Sequence, residues 1–213
     1  PMLSTIQDDP IRLGNIYRKL IRVSFFIIAP LILGLAGIGK PLILILLGED
    51  WLPAVLFFQI LCLAKVFYPV HAFNLDILKV YGRSDLFLKL EIIKKTIVTI
   101  SVIVAFQFGI LGLVCSSVFT SMASLFVNMY YSSKLINYPI KEQINDLTYI
   151  LFQSLATGFL MYYIVNLTLL NNQLFFQLIV ASLTGLIFYL AISYLSKKNP
   201  IHQVIILLTN RNL

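Results

Sequence analysis

The sequence predicts an all-α membrane protein with six transmembrane helices, and three observations predict it. Of 213 residues, 59% are hydrophobic and 12% charged, against roughly half and a quarter in soluble domains. The apolar residues gather into six stretches near the ~20 residues a helix needs to cross a bilayer. Fourteen of the sixteen basic residues, all but Lys40 and Lys65, fall at the chain ends and in every second gap between those stretches. Basic residues are retained on the cytoplasmic face, so both ends of this segment are expected to be cytoplasmic.

Taken in order, a cytoplasmic amphipathic lead-in at 1–19 is followed by a transmembrane lobe over 20–199 and a cytoplasmic surface segment at 200–213. The spans fall at about 20–47, 52–80, 86–108, 110–135, 147–170 and 174–195. The first holds Pro30 at its middle and Gly34, Gly37 and Gly39 after it, which predicts a kink and close packing. Its last part, from Pro41 to Leu47, is too short to cross alone and either completes the helix at a tilt or dips into the outer interface.

The second span opens at Trp51, a headgroup-level residue, with Pro53 where a helix tolerates it, and carries Lys65, His71 and Asp76. Arg83 to Asp85 form a turn in which Ser84 or Asp85 is the expected N-cap of the third span. Gln107 to Gly109 and Asn171 to Gln173 are uncharged outer turns, and Ile201 to Leu208 reads as a short helix on the inner leaflet. The first stretch is too long for a secretory signal core and has no cleavage pattern. A chain opening at Pro1 with such a lead-in is expected to be part of a longer protein.

The net charge of +7 could suggest nucleic acid, but clustering beside apolar spans fits an anionic leaflet, so membrane lipids and not nucleic acid are the expected partner. Cys62 and Cys115 lack metal or disulfide spacing and read as small buried apolar residues. No cofactor or metal is expected.

From Pro1 through Lys95 the chain resembles the second half of lipopolysaccharide and O-antigen flippases of the colanic-acid exporter type, members of the polysaccharide transport family. The residues that carry the resemblance are PMLSTIQDDP, FFIIAPLILGLAGIGKPLILILLGEDWLPAV and YPVHAFNLDILKVYGRSDLFLKLEIIKK; beyond them the match is one of hydropathy and span length. The family belongs to the superfamily of multidrug, oligosaccharidyl-lipid and polysaccharide exporters. The resemblance implies two six-helix lobes around an alternately opening cavity, with this chain the C-terminal lobe and an N-terminal lobe missing. The implied substrate is an undecaprenyl-pyrophosphate-linked oligosaccharide moved from the cytoplasmic to the periplasmic leaflet. Lys65 stands where the family carries a small apolar residue, so no family role passes to it.

A flippase needs cations facing a wet interior. Counting back ~20 residues from Phe108 reaches Lys89, which puts Glu91, Lys94 and Lys95 at inner-leaflet depth, Glu91 within one turn of both lysines. Arg22, Lys94 and Lys95 are candidates for a pyrophosphate site; alternatively all three snorkel to lipid phosphates. Along the second span, at 100° per residue, Lys65 and Asp76 are expected about 20° apart around the axis and about 16 Å apart along it, with Tyr68 and Ala72 between. Lys65 and Tyr68 are then candidate substrate contacts, and Asp76, with Glu91 and His71, a candidate ion-coupling group. The alternatives are an Asp76–Lys79 pair and a His71 that satisfies backbone freed at Pro69. Tyr130, Tyr131, Tyr162, Tyr163 and Tyr189 could stack on sugars or anchor at the interfaces.

Other classes are a multidrug exporter, a non-transporting scaffold and a membrane acyltransferase. The last would use the His71–Asp76 spacing, but on one helix those side chains lie about 140° apart, too far round for the hydrogen bond catalysis needs. With no phosphate-cradling loop or nucleophile elbow either, the chain is expected not to be an enzyme.

Overall fold

The computed structural model describes residues 10–136, 138–167, 173–196 and 200. Among them are eight α-helices and no strand: α1 (Pro10–Gly37), α2 (Gly39–Leu47), α3 (Ala54–Lys65), α4 (Tyr68–Val80), α5 (Ser84–Phe106), α6 (Gly109–Ser133), α7 (Ile140–Val165) and α8 (Leu174–Leu195). Five stretches are long and apolar enough to cross a membrane: α1, α3 with α4, α6, α7 and α8. The chain is an all-α, multi-pass membrane protein. α5 differs from these five because Asp85, Lys89, Glu91, Lys94 and Lys95 crowd its first half. The expected helix at Ile201 to Leu208 lies outside the described residues, as do Asn171, Asn172 and residues 1–9 of the 1–19 lead-in.

Two stretches drawn as single spans are each two helices. The 20–47 stretch turns at Ile38, where α1 gives way to α2. The 52–80 stretch is interrupted at Val66 and Phe67. Pro69 explains this: it has no N–H for the Lys65 carbonyl four residues back, and its ring crowds that carbonyl. The 20° relation between Lys65 and Asp76 assumed a continuous helix and does not hold. Pro30, by contrast, sits inside α1 without ending it.

The chain forms two compact units, residues 1–25 with 67–147 and residues 26–66 with 148–213. In the first, α6 packs along α5 and also against α4. The α5–α6 turn closes at Gly109, whose φ of +66° suits a residue without Cβ. Phe25 stacks on Phe67 with ring centroids 5.9 Å apart. Arg83, and not the expected Ser84 or Asp85, stands at the N-cap of α5, and it makes no side-chain cap bond. Asp85 takes two hydrogen bonds from Arg83, at 2.9 and 2.8 Å, and these above all hold its carboxyl down at about 2.

In the second unit α2 packs against α3 and α8. The glycines after Pro30 meet α7 at close range: a Cβ on Gly37 would collide with the Gly158 carbonyl, and one on Gly158 would lie 2.6 Å from the Leu33 carbonyl oxygen. With no hydrophobic driving force between helices in lipid, such small-residue seams bring backbones together. Ile38, Met161, Val165 and Ala181 form the buried cluster beside the seam. Gln153 donates to Ser193 Oγ at 2.6 Å and to the Tyr189 carbonyl at 2.8 Å, and Tyr189 donates to the Phe26 carbonyl at 2.8 Å. Tyr189 is therefore a buried cross-link and not an interface anchor. Cys62 is buried as expected, whereas Cys115 is exposed.

Candidate functional site

α5 supplies the site. It is too charged for a lipid-facing span, yet its charged first half is interleaved with and followed by Ile92, Ile93, Ile97 and Val98, so it is neither a solvent helix nor a hydrocarbon one. Glu91 and Lys94 form an ion pair one turn apart, with side chains 31% and 13% exposed. Of the two lysines within reach of Glu91, the structure selects the one three residues on. Lys95 stays exposed and lines an open groove of about 400 Å³ with Glu91, Ile92, Thr96, Thr99 and Ile100. Glu91, Lys95 and Thr99 recur every four residues and so share one face of the helix. Thr96 Oγ1 donates to the Ile92 carbonyl at 2.9 Å, which leaves its lone pairs free to accept. The arrangement offers an anion the Lys95 ammonium and the Thr99 hydroxyl, with Lys94 paired to Glu91.

The other sequence-predicted residues go elsewhere. Arg22, on α1, is half-buried. Lys65, at the last residue of α3, and Tyr68, at the first of α4, are both exposed and fall in different compact units. Asp76 accepts from Lys79 at 3.0 Å, with both side chains more than half exposed, which is the structural pairing. His71 lies between Asn128, 3.0 Å from Nδ1, and Ser121, 3.4 Å from Nε2, so it bonds α4 to α6.

Two polar networks were not legible in the sequence. In one, Tyr17 donates to Asn74 Oδ1 at 2.9 Å, Ser132 donates to the same oxygen, and Asn74 Nδ2 donates to the Val70 carbonyl at 2.8 Å. All three side chains are fully buried, and such interhelical bonds are worth about 0.6 to 2 kcal/mol each in membranes. The spacing of Asn128 and Ser132, one turn apart on a span, is the signal that could have found it.

In the other, Asp146 on α7 accepts from Arg18 Nε at 2.5 Å, Arg18 Nη2 at 3.0 Å and Tyr138 Oη at 2.9 Å, while Arg18 Nη1 reaches Glu142 at 2.7 Å. The Arg18 guanidinium also lies 5.3 Å from the Tyr138 ring centre. Burial first, and then the adjacent Asp146 carboxylate, push the Tyr138 phenol well above its ordinary value, so it remains a donor. This clasp ties the start of α1 to the start of α7.

Residues 1–56 match the family model described as polysaccharide biosynthesis protein. Over 64 residues the chain is 44% identical to a Klebsiella pneumoniae protein described as an uncharacterized membrane protein in the cps region. That match covers 30% of this chain and 13% of the relative, which is therefore more than twice as long. No solved structure matches the chain. The protein is a multi-span membrane protein whose first quarter is similar to polysaccharide-biosynthesis proteins.

Proposed function

We propose that this chain is the C-terminal six-helix lobe of a flippase of the polysaccharide transport family. It moves undecaprenyl-pyrophosphate-linked oligosaccharide units, the precursors of lipopolysaccharide and exopolysaccharide, from the cytoplasmic to the periplasmic leaflet of the bacterial inner membrane. Both ends of this segment are cytoplasmic, no covalent chemistry is involved, and a second six-helix lobe comes from the rest of a longer protein. α5, third in chain order, serves as the span that completes the six.

The observation that carries this reading is the Glu91–Lys94 pair beside an exposed Lys95 and a threonine-lined groove. A charge held against hydrocarbon costs about 3 kcal/mol on insertion scales, so intramembrane charges face cavities. The pyrophosphate needs cations at inner-leaflet depth, and hydroxyls further along the helix suit a sugar. The polysaccharide-biosynthesis similarity of residues 1–56 and the greater length of the cps-region relative support the same reading.

Its test is reconstitution of the full-length protein in liposomes carrying a fluorescent undecaprenyl-pyrophosphate oligosaccharide. Protein-dependent transfer of the label between leaflets is expected. Static label, together with movement of a cationic dye, would point to a drug exporter and overturn the reading.

A further inference from the structure

The bond between α4 and α6 at His71 fixes where the imidazole proton sits. An amide nitrogen can only donate, so Asn128 Nδ2, 3.0 Å from His71 Nδ1, meets that ring nitrogen as an unprotonated acceptor. The ring proton is then on Nε2, which faces Ser121 Oγ at 3.4 Å. His71 is half-buried and neutral in this arrangement, and its basic lone pair is the one on Nδ1.

Asn128 is 1% exposed, yet its Oδ1 is buried with no partner among the described residues. Asn74, on α4, shows the contrast. Its Oδ1 accepts from Tyr17 and Ser132 and its Nδ2 donates to the Val70 carbonyl, so both ends of that amide are fixed. The Asn128 amide is held at its nitrogen end, and a half-turn about its terminal torsion exchanges nitrogen and oxygen at nearly the same positions.

A charged ring here has to be met by neutral oxygens. α6 has no charged residue; its titratable groups are Cys115, Tyr130 and Tyr131. On α4, Tyr68 is exposed and Asp76 is engaged by Lys79; on α5, Asp85 is engaged by Arg83 and Glu91 by Lys94, while Lys89 and Lys95 add positive charge. From α1, Tyr17 bonds Asn74, Arg18 engages Glu142 and Asp146, and Arg12, Lys19 and Arg22 are further cations.

We propose that His71 is a reversible proton-binding site within the membrane. Nδ1 takes a proton from water as the Asn128 amide turns over; Oδ1 then accepts from the new N–H, and Nε2–H keeps Ser121 Oγ. The unheld Oδ1 is the acceptor that makes both charge states of the ring satisfiable. The site's titration does not depend on the transport reading, and its failure leaves that reading untouched.

The experiment is histidine-selective nitrogen-15 magnetic resonance of the full-length protein in lipid bilayers, from about pH 8 to about pH 5, where histidine ordinarily changes charge. The imidazole signal missing from His71→Gln is that of His71. In the wild type it should pass from the neutral Nε2–H pattern to the imidazolium pattern as pH falls. Asn128→Leu keeps the shape and removes the acceptor, and a hydrogen bond to a charged ring is the stronger one; proton affinity should fall about tenfold, a midpoint about one pH unit lower. A purely structural donor, once removed, would leave the affinity unchanged or raise it. A signal that stays neutral throughout in the wild type, or an unchanged or raised affinity in Asn128→Leu, overturns the proposal. Should that variant not fold, Asn128→Asp carries the test. An oxygen at this position that reaches Nδ1 should raise the midpoint by at least about one pH unit, and no rise overturns the proposal equally.

Discussion

Reversing charge at Lys94 and Lys95 together, Lys94→Glu with Lys95→Glu, should abolish surface polysaccharide while membrane insertion stays normal. In the wild type Lys94 is paired with Glu91 and Lys95 faces the groove. The variant would place three carboxylates within one turn, on the face where the proposed pyrophosphate substrate would bind. At about 4 Å and an effective dielectric near 20, one like-charge contact is worth about 4 kcal/mol, a loss of more than a hundredfold in occupancy. Insertion should survive because twelve of the fourteen patterned basic residues remain to set orientation. Lys79→Glu is the matched control. Lys79 is exposed and paired with exposed Asp76, away from the groove, so polymer output should persist there. Normal output from the double variant would remove α5 from the transport path.

The largest stability effect is expected at Asp146. Its side chain is 8% exposed, and Asp146→Ala strands both the Arg18 fork and the buried Tyr138 hydroxyl. Breaking a buried pair from one side costs about 3–5 kcal/mol. Arg18 is 36% exposed and keeps Glu142, so solvent screening brings the expectation down to about 2–3 kcal/mol. Thermal unfolding in detergent should show Asp146→Ala well below wild type and Glu142→Ala close to it, because Glu142 is half exposed. Equal losses at the two positions would mean that the clasp is a surface ion pair only.

Apolar length and basic alternation made the membrane fold legible, because a bilayer constrains both over ~20 residues at a time. Short-range features were legible too: Asp76–Lys79, the glycines that let α1 meet α7, and a hydrogen-bonding His71. The interruption before Pro69 was written in the sequence, since a missing donor four residues beyond Lys65 forecasts it, but helical counting across 52–80 passed over it. Long-range polar contacts were not legible. Nothing near Arg18 indicates an acceptor 128 residues away, and Asn74 looked like one more polar residue until Tyr17 and Ser132 met at its oxygen. Cys115 shows the limit of hydropathy, which places a residue in a span without saying which face it takes.

Whether the Glu91–Lys95–Thr99 face of α5 borders water is decided most directly by thiol accessibility. A cysteine-free full-length protein carrying Lys95→Cys or Thr99→Cys, in intact membranes, would be exposed to a small, charged, membrane-impermeant thiol reagent. Phe119→Cys on α6, exposed in the fold at 63% and expected to face lipid, is the control. Rapid labelling at 95 and 99 with none at 119 is the predicted result; inert thiols at both 95 and 99 would contradict a wet, positively lined face on α5.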